Sequence, residues 1–399
     1  MSLSIPHPAK RRCFVGHSQS YRRDSMYVAS PVQHSVITDW DAIERLLSYT
    51  LRSHLALEPQ QHPVLWCEPT GGSREQRERM LQLLMESTGV PALFFCKTAV
   101  LSAFAAGRST ALICESGAGV TTVAPVHEGY VLNKGVRRTK VAGNTLDAIA
   151  QQIIFPQSTS ASSSFSSSSS SASAPSPFDR QPVPLYAIQR SYTPTGEVSS
   201  HRTVIPPLTT PSYHSHMQSE LVRDVKETVC RLSETPFDAN GAKYPTVQYE
   251  LPDGRLLDVG NERFVVAEHL FQPALNASHA PHIEEFDASF TFSGLQHMLR
   301  SAVDSVDLDL HKELYSSIVL SGGSSLLAGF PNRVSRELAV DLPAAHKVKV
   351  VLGSSSTDRK YASWIGGSIL ASLGTFHQMW VSKAEYEEQG ARVIHTKCP

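Results

Sequence analysis

Nothing in this chain of 399 residues approaches the about 20 consecutive apolar residues that a membrane-spanning helix needs, and the N-terminus lacks the apolar core of a secretory signal. Cysteine is sparse: Cys13, Cys67, Cys96, Cys114, Cys230 and Cys398 form no C-x-x-C pair and no histidine-flanked cluster. That spacing excludes a zinc module or a disulfide framework and favours a reducing compartment, so a cytosolic or nuclear chain is expected. Charge of one sign is also missing. With Lys+Arg 36 against Asp+Glu 37, a net charge of -1 offers no global field for nucleic acid or an anionic membrane. What is present is a 41% hydrophobic content, enough for two or more lobes. Lys10, Arg11 and Arg12, with Arg22 and Arg23, make a weakly basic segment that reads as a solvated arm, with a nuclear address as the other reading.

Patterning then divides the chain. Residues 40–51 place Trp40, Ile43, Leu46, Leu47 and Leu51 at helical spacing behind Asp39 as N-cap. A buried strand at 62–69 stops at Pro69, and a helix over 77–88 and a second strand at 91–96 follow. Another helix, 98–107, ends at Gly107; residues 109–132 read as two strands joined at 116–119. Strand and helix alternating in this order imply a mixed α/β architecture. Serine dominates residues 158–177, which are too poor in apolar groups to offset the entropy of ordering. The expected disorder extends to about 214, with a short ordered island near Tyr186. Helical patterning returns at Ser219, and Pro252, Asp253 and Gly254 mark a hairpin turn.

Three loops carry candidate chemistry. Ser321, Gly322, Gly323, Ser324 and Ser325 lie between an apolar strand and a helix, where free backbone amides can receive a phosphate. The sequence is neither a Walker A loop nor G-x-G-x-x-G, and for the bare motif a tight structural turn is the better reading. The turn at residues 115–119 is similarly ambiguous. In residues 360–388, Gly366 and Gly367 interrupt an apolar helix, which suits a helix start pressed on another backbone or beside a phosphate ester.

Residues 115–130, 249–264, 319–338 and 360–388 each resemble a marked segment of actins, in the same order, and the resemblance covers nearly all of 32–399 outside the serine tract. It implies an α/β, actin-like bilobed fold with ribonuclease-H-like duplicated domains. The expected division is an N-terminal arm at 1–31, a first lobe core at 32–106 plus 362–399, a second at 107–141 plus 292–361, and an inserted subdomain at 142–291. Carried over, the nucleotide pocket would place Gly117, Ala118, Gly119 and Val120 at the phosphates with Gly143 beside them. Arg223, Lys226, Glu227, Gly323, Ser324, Leu326, Leu327 and Lys360 would surround ribose and base. An ordinary solvated helix face explains the spacing of Arg223, Lys226 and Glu227 equally.

Departures from the family pattern set the expected chemistry. Thr98 and Thr122 stand where actins position the attacking water with glutamine and histidine, and Glu115 and Ala118 stand where they carry aspartates for the magnesium shell. Residues 15–28 precede the first matched segment without the strand pair and Gly-rich phosphate loop of actins, so conventional polymerisation is not expected. ATP is therefore expected only as a non-hydrolysed structural ligand, weakened by the missing loop, with magnesium left open. No catalytic or metal-binding residue is assigned.

Residues 94–110, 363–380 and the ending at 397–399 resemble the nuclear actin-related protein four subfamily, the BAF-type actin-like subunits. That resemblance implies a non-catalytic structural subunit, nuclear and also cytoplasmic. It would be paired with actin on a helical scaffold segment of a remodelling ATPase or acetyltransferase complex, meeting chromatin or histones indirectly and no membrane. The competing readings are a cytoskeletal actin-like ATPase and a sugar kinase or chaperone-type ATPase of the same fold.

Overall fold

The computed structural model describes residues 14–15, 24–156, 182–193, 198–238, 244–276, 278–279, 281, 285–286, 290–343 and 346–398. The serine tract and both basic clusters lie outside them. The first body opens with the hairpin β1 (Val32–Gln33) and β2 (Val36–Ile37), then α1 (Trp40–Ser48). Asp39 caps α1 by accepting from the Ala42 amide at 3.0 Å, which satisfies one of the donors a helix start leaves free. β3 (Val64–Glu68), α2 (Arg74–Gln82) and β4 (Ala92–Lys97) form a parallel crossover unit, and α3 (Thr98–Ala105) leaves β4 directly.

The second body is built on β5 (Ala111–Ser116), β6 (Thr121–His127), β7 (Tyr130–Val131) and β8 (Arg137–Thr139), followed by α4 (Gly143–Ile154). Its inserted part comprises the hairpin β9 (Ile188–Tyr192) and β10 (Val198–Thr203), α5 (Pro211–Val229), the hairpin β11 (Val247–Glu250) and β12 (Leu256–Val259), and α6 (Glu262–Glu268). The chain returns through α7 (Leu295–Asp304), α8 (Leu308–Ser316), β13 (Ile318–Ser321), α9 (Phe330–Asp341) and β14 (Val350–Val351). The six-stranded sheet runs β14-β13-β5-β6-β7, with β8 also on β6. Then α10 (Ser356–Lys360) packs on the loop after β13, and α11 (Ala362–Ala371), β15 (Val381–Ser382), α12 (Lys383–Gln389) and α13 (Val393–Lys397) rejoin the first body, where β15 pairs with β4.

Each body has its own core. Ile43, Leu81, Leu93, Phe95, Leu101, Phe376 and Ile394 belong to one cluster, and Leu112, Leu146, Val225, Met298, Ile318 and Phe330 to the other. A small third cluster of Ala99, Ala103, Ala111, Ile113, Ala124, Val126 and Val319 lies between α3 and the large sheet. The second body also contains a buried ion pair: Arg333 Nη1 donates to Glu268 Oε2 at 3.0 Å, with the two side chains 1% and 0% exposed. The same nitrogen donates to the Thr235 carbonyl at 3.0 Å, so the guanidinium also satisfies a loop.

Two expectations change. Residues 182–193 and 198–210, inside the stretch expected to be disordered up to about 214, carry described structure, and α5 starts at Pro211, eight residues ahead of the patterned Ser219. Composition missed this because the order is tertiary: Tyr186 packs edge-on against Tyr213 at 5.0 Å and hydrogen-bonds His214, while Thr210 caps α5 from the Tyr213 amide. Gly366 and Gly367 sit in the middle of α11, not at its start, and what approaches Gly366 is a backbone. A Cβ on Gly366 would lie 1.8 Å from the Leu101 carbonyl oxygen in α3, whereas one on Gly367 would meet side chains at ordinary contact distance, Cys67 and Leu65 at 3.4 Å and Leu101 at 3.7 Å.

The contrast predicts unequal effects in chemical denaturation. Gly366→Ala should lower stability by about 3 kcal/mol, the upper end for overpacking, and Gly367→Ala by less than about 1 kcal/mol; equal losses would contradict the assigned packing. Arg333→Met should cost about 3–5 kcal/mol by stranding the Glu268 carboxylate, read as a lower denaturation midpoint.

Candidate functional site

β5 and β13 are parallel neighbours that end together, Ser321 opposite Glu115, and each turns into a loop of small residues. After β5 the turn at 117–120 is closed by the Gly117 amide, which donates to the Val120 carbonyl at 3.0 Å. After β13, Gly322 adopts φ +88°, and a Cβ there would stand 2.3 Å from the Ser116 carbonyl oxygen. Glycine alone accepts both the left-handed backbone and the approach. The loops therefore touch, and the Ser324 hydroxyl donates to the Gly117 carbonyl at 2.8 Å.

α4 starts against the same turn. The Gly143 and Asn144 amides donate to the Gly117 and Ala118 carbonyls at 3.0 and 2.7 Å, so two first-turn donors that would draw an anion are already taken. From α5, the buried Lys226 ammonium reaches the Gly143 carbonyl at 3.1 Å and the Asp147 carboxylate at 2.7 Å. Arg223 joins Asp147 at 3.3 Å and Glu220 at 2.6 Å. Between α4 and α5 remains a cavity of about 230 Å³, lined by Asn144, Asp147, Gln151, Ser219, Val222 and Arg223.

The β1–β2 hairpin covers the turn from the other side. His34 Nδ1–H donates to the Gly119 carbonyl at 3.0 Å, which assigns the proton to Nδ1 because a carbonyl only accepts. The chain just before this hairpin is tied to the start of α5: the Thr210 amide donates to the Asp24 carbonyl at 2.7 Å, and the Val28 amide to the Ser212 hydroxyl at 3.1 Å. Beneath the turn, Glu115 stands opposite Thr122 in the β5–β6 ladder. Thr70 Oγ1 lies 3.3 Å from Thr98 Oγ1 and accepts from the Ala99 amide at 3.0 Å. Burial pushes the Glu115 carboxyl above its ordinary range, opposed by a hydrogen bond from Thr98.

Of the residues singled out by sequence, Gly117, Ala118, Gly143, Lys226 and Ser324 are joined in one hydrogen-bonded network, and Gly119 and Val120 complete its turn. Arg223 stands at the edge of this network. Gly323 is exposed, with open space where a Cβ would be, and Leu326 is half-buried. Leu327 instead joins the core of the second body. Glu227 is exposed outside the network; Lys360 is also exposed, its ammonium 5.7 Å from the Tyr361 ring centre. Sequence reasoning missed His34 and Asp147. A lone carboxylate in the apolar helix GNTLDAIAQQII was a legible signal for Asp147; His34 offered none, since its place depends on a turn with φ +48° and +61° at His34 and Ser35.

A nucleotide with its metal is what the resemblance implies, and the two parts fit differently. Ser324, the open side of Gly323 and the Lys226–Gly143 contact offer polar groups and space for a ribose or phosphate. The donor set does not fit magnesium held between carboxylates of facing loops. In the turn and its flanks Glu115 is the single carboxylate, its pKa raised by burial against a hydrogen bond from Thr98, and among the described residues no group of three or more His, Cys, Asp and Glu could hold a metal ion.

A family model described as Actin matches residues 4–399. The chain is similar to actin-related protein 4 of Oryza sativa subsp. japonica, 38% identical over 391 residues that span 98% of this chain and 83% of the rice protein. It is equally similar to actin-related protein 4 of Arabidopsis thaliana, 38% identical over 392 residues covering 98% of this chain and 84% of that protein. The touching loops, the α/β bodies around them and these matches place the chain in the actin family, as an actin-related protein.

Proposed function

We propose that this protein is a non-catalytic architectural subunit of nuclear chromatin-remodelling or histone-acetyltransferase complexes, paired with actin on a helical scaffold segment. The observation that carries the reading is the group under the phosphate-type turn: Thr70, Thr98, Glu115 and Thr122 occupy the ground where water activation and metal binding would be expected. Hydroxyls with ordinary acidity neither orient nor deprotonate water as a glutamine and histidine pair does. Similarity to proteins named actin-related protein 4 supports the nuclear part of the reading. A nucleotide, where present, acts as a structural ligand that stabilises closure by mass action and leaves unchanged.

Purified protein with ATP and magnesium should release phosphate no faster than the protein-free control, measured in a coupled phosphate assay. Sustained single-site turnover would sink the non-catalytic reading and favour the cytoskeletal ATPase. In high-speed sedimentation with salt and magnesium the chain should stay in the supernatant. Affinity purification should recover it with actin and a helical scaffold subunit; recovery with filaments alone counts against the pairing.

A further inference from the structure

A second cavity opens on the first body, on the far side of Thr70 and Thr98 from the turn after β5, and reaches Asn133 of the second body. It encloses about 330 Å³ where β3 and β4 end, α2 begins and α13 folds back, and its wall includes Glu68, Arg74, Arg77, Lys97, Asn133 and His395. The charges there are unequal in number and in partnership. Arg77 is committed: it meets the Glu68 carboxylate at 2.9 Å and donates to the Cys398 carbonyl, bracing the C-terminal helix. His395 is turned to Glu78 at 2.8 Å. Among the described residues, the side chains of Arg74 and Lys97 make no hydrogen bond or ion pair with the protein.

We propose that this cavity binds a phosphate group, as the free ion or as the monoester of a small molecule. Arg74, Arg77 and Lys97 against the single carboxylate of Glu68 leave an excess of two positive charges along one wall. That excess matches a phosphate dianion and exceeds what a monocarboxylate neutralises. A guanidinium presents a fork that suits phosphate oxygens, and Lys97 adds a point charge. The volume reaches the lower end of the about 300–1,000 Å³ typical of small-molecule sites, leaving space beyond the oxyanion.

The protonation states agree with this reading. Burial holds the Lys97 ammonium below its ordinary range, with Glu68 opposing and Arg77 assisting, and an incoming anion would add to the counter-charge of Glu68. Burial raises the Glu68 carboxyl despite Arg77 and Lys97, which reduces its competition with an anion. Lys97 and Thr98 are successive residues at the β4–α3 junction, so one side chain serves this cavity and the next lies under the turn.

The test is titration calorimetry of the full chain with inorganic phosphate and with glucose 6-phosphate, using acetate as the monoanion control. Saturable binding of phosphate or its ester is expected, weakened about tenfold or more in Lys97→Met and in Arg74→Gln, the loss of one charged contact. Tighter binding of the ester would identify a phosphorylated small molecule as the source; equal or tighter binding of inorganic phosphate, the free ion. Both variants should melt no lower than the parent, because neither removes an internal partner. Absence of saturable binding by either probe, unchanged affinity in both variants, or acetate binding as tight as phosphate would overturn the proposal.

Discussion

The contact of α3 with α11 is the constraint on which the rest depends. Helix α3 is a thin wall between the two bodies. On one side the Leu101 carbonyl is approached by Gly366, so closely that a single methyl would collide. On the other, Ala99 and Ala103 meet Ala111, Ile113 and Ala124 of the large sheet, and Ser102 faces Ser321 at 3.5 Å between hydroxyls. Small residues on both faces allow two separately packed cores to share one helix. Because α3 begins at Thr98, its position also sets the distance between β4 and the turn after β5. Packing and site geometry are therefore one problem: a helix displaced by an extra side chain would draw Thr98 away from Glu115.

Polar groups in the cleft are largely satisfied by the protein itself. The turn carbonyls are taken by α4 amides, Ser324 and His34, and the Lys226 ammonium by Asp147 and Gly143. Buried polar groups are costly unless paired, and a network whose members satisfy one another rigidifies its surroundings. The cavity at the ends of β3 and β4 presents the contrary case, with two cations whose side chains make no hydrogen bond or ion pair among the described residues. Paired charge explains rigidity there and unpaired charge points to a ligand here, and the distinction is made by partners, not by residue type.

Much of the fold was readable because periodicity and turn chemistry are local. The Asp39 cap, the stop at Gly107, the turn after Ser116 and the hairpin at Gly254 all fell where those rules place them. The inserted part was harder. Residues 182–193 and 198–210 carry a composition that alone favours disorder, and Tyr186 is held by tyrosine and histidine contacts to α5, which no local window contains. In the site, spacing put Arg223, Lys226 and Glu227 on one helix face, but only Asp147 on a different helix decides that the first two turn inward. The reason for Gly366 was half legible: two glycines announce a close approach, and the identity of the approaching atom waits for the tertiary structure.

The same physics separates the architecture of the cleft from catalysis. A turn that caps α4 and is itself held by Ser324 and His34 is positioned without any contribution from a ligand. Assisted hydrolysis needs more than position: it needs carboxylates that hold a metal and a polar pair that orients water. Burial raises the half-buried Glu115 carboxyl above its ordinary range, against a hydrogen bond from Thr98, and Thr122 stands opposite it in the ladder. A single carboxyl among hydroxyls offers a divalent cation fewer charged ligands than a pair of facing carboxylates does. The glycine at 322 alone secures the backbone approach of the two loops, independently of the polar groups beneath them. A fold can therefore keep the shape of a nucleotide cleft for as long as α3 holds its two bodies together, whatever the cleft does chemically.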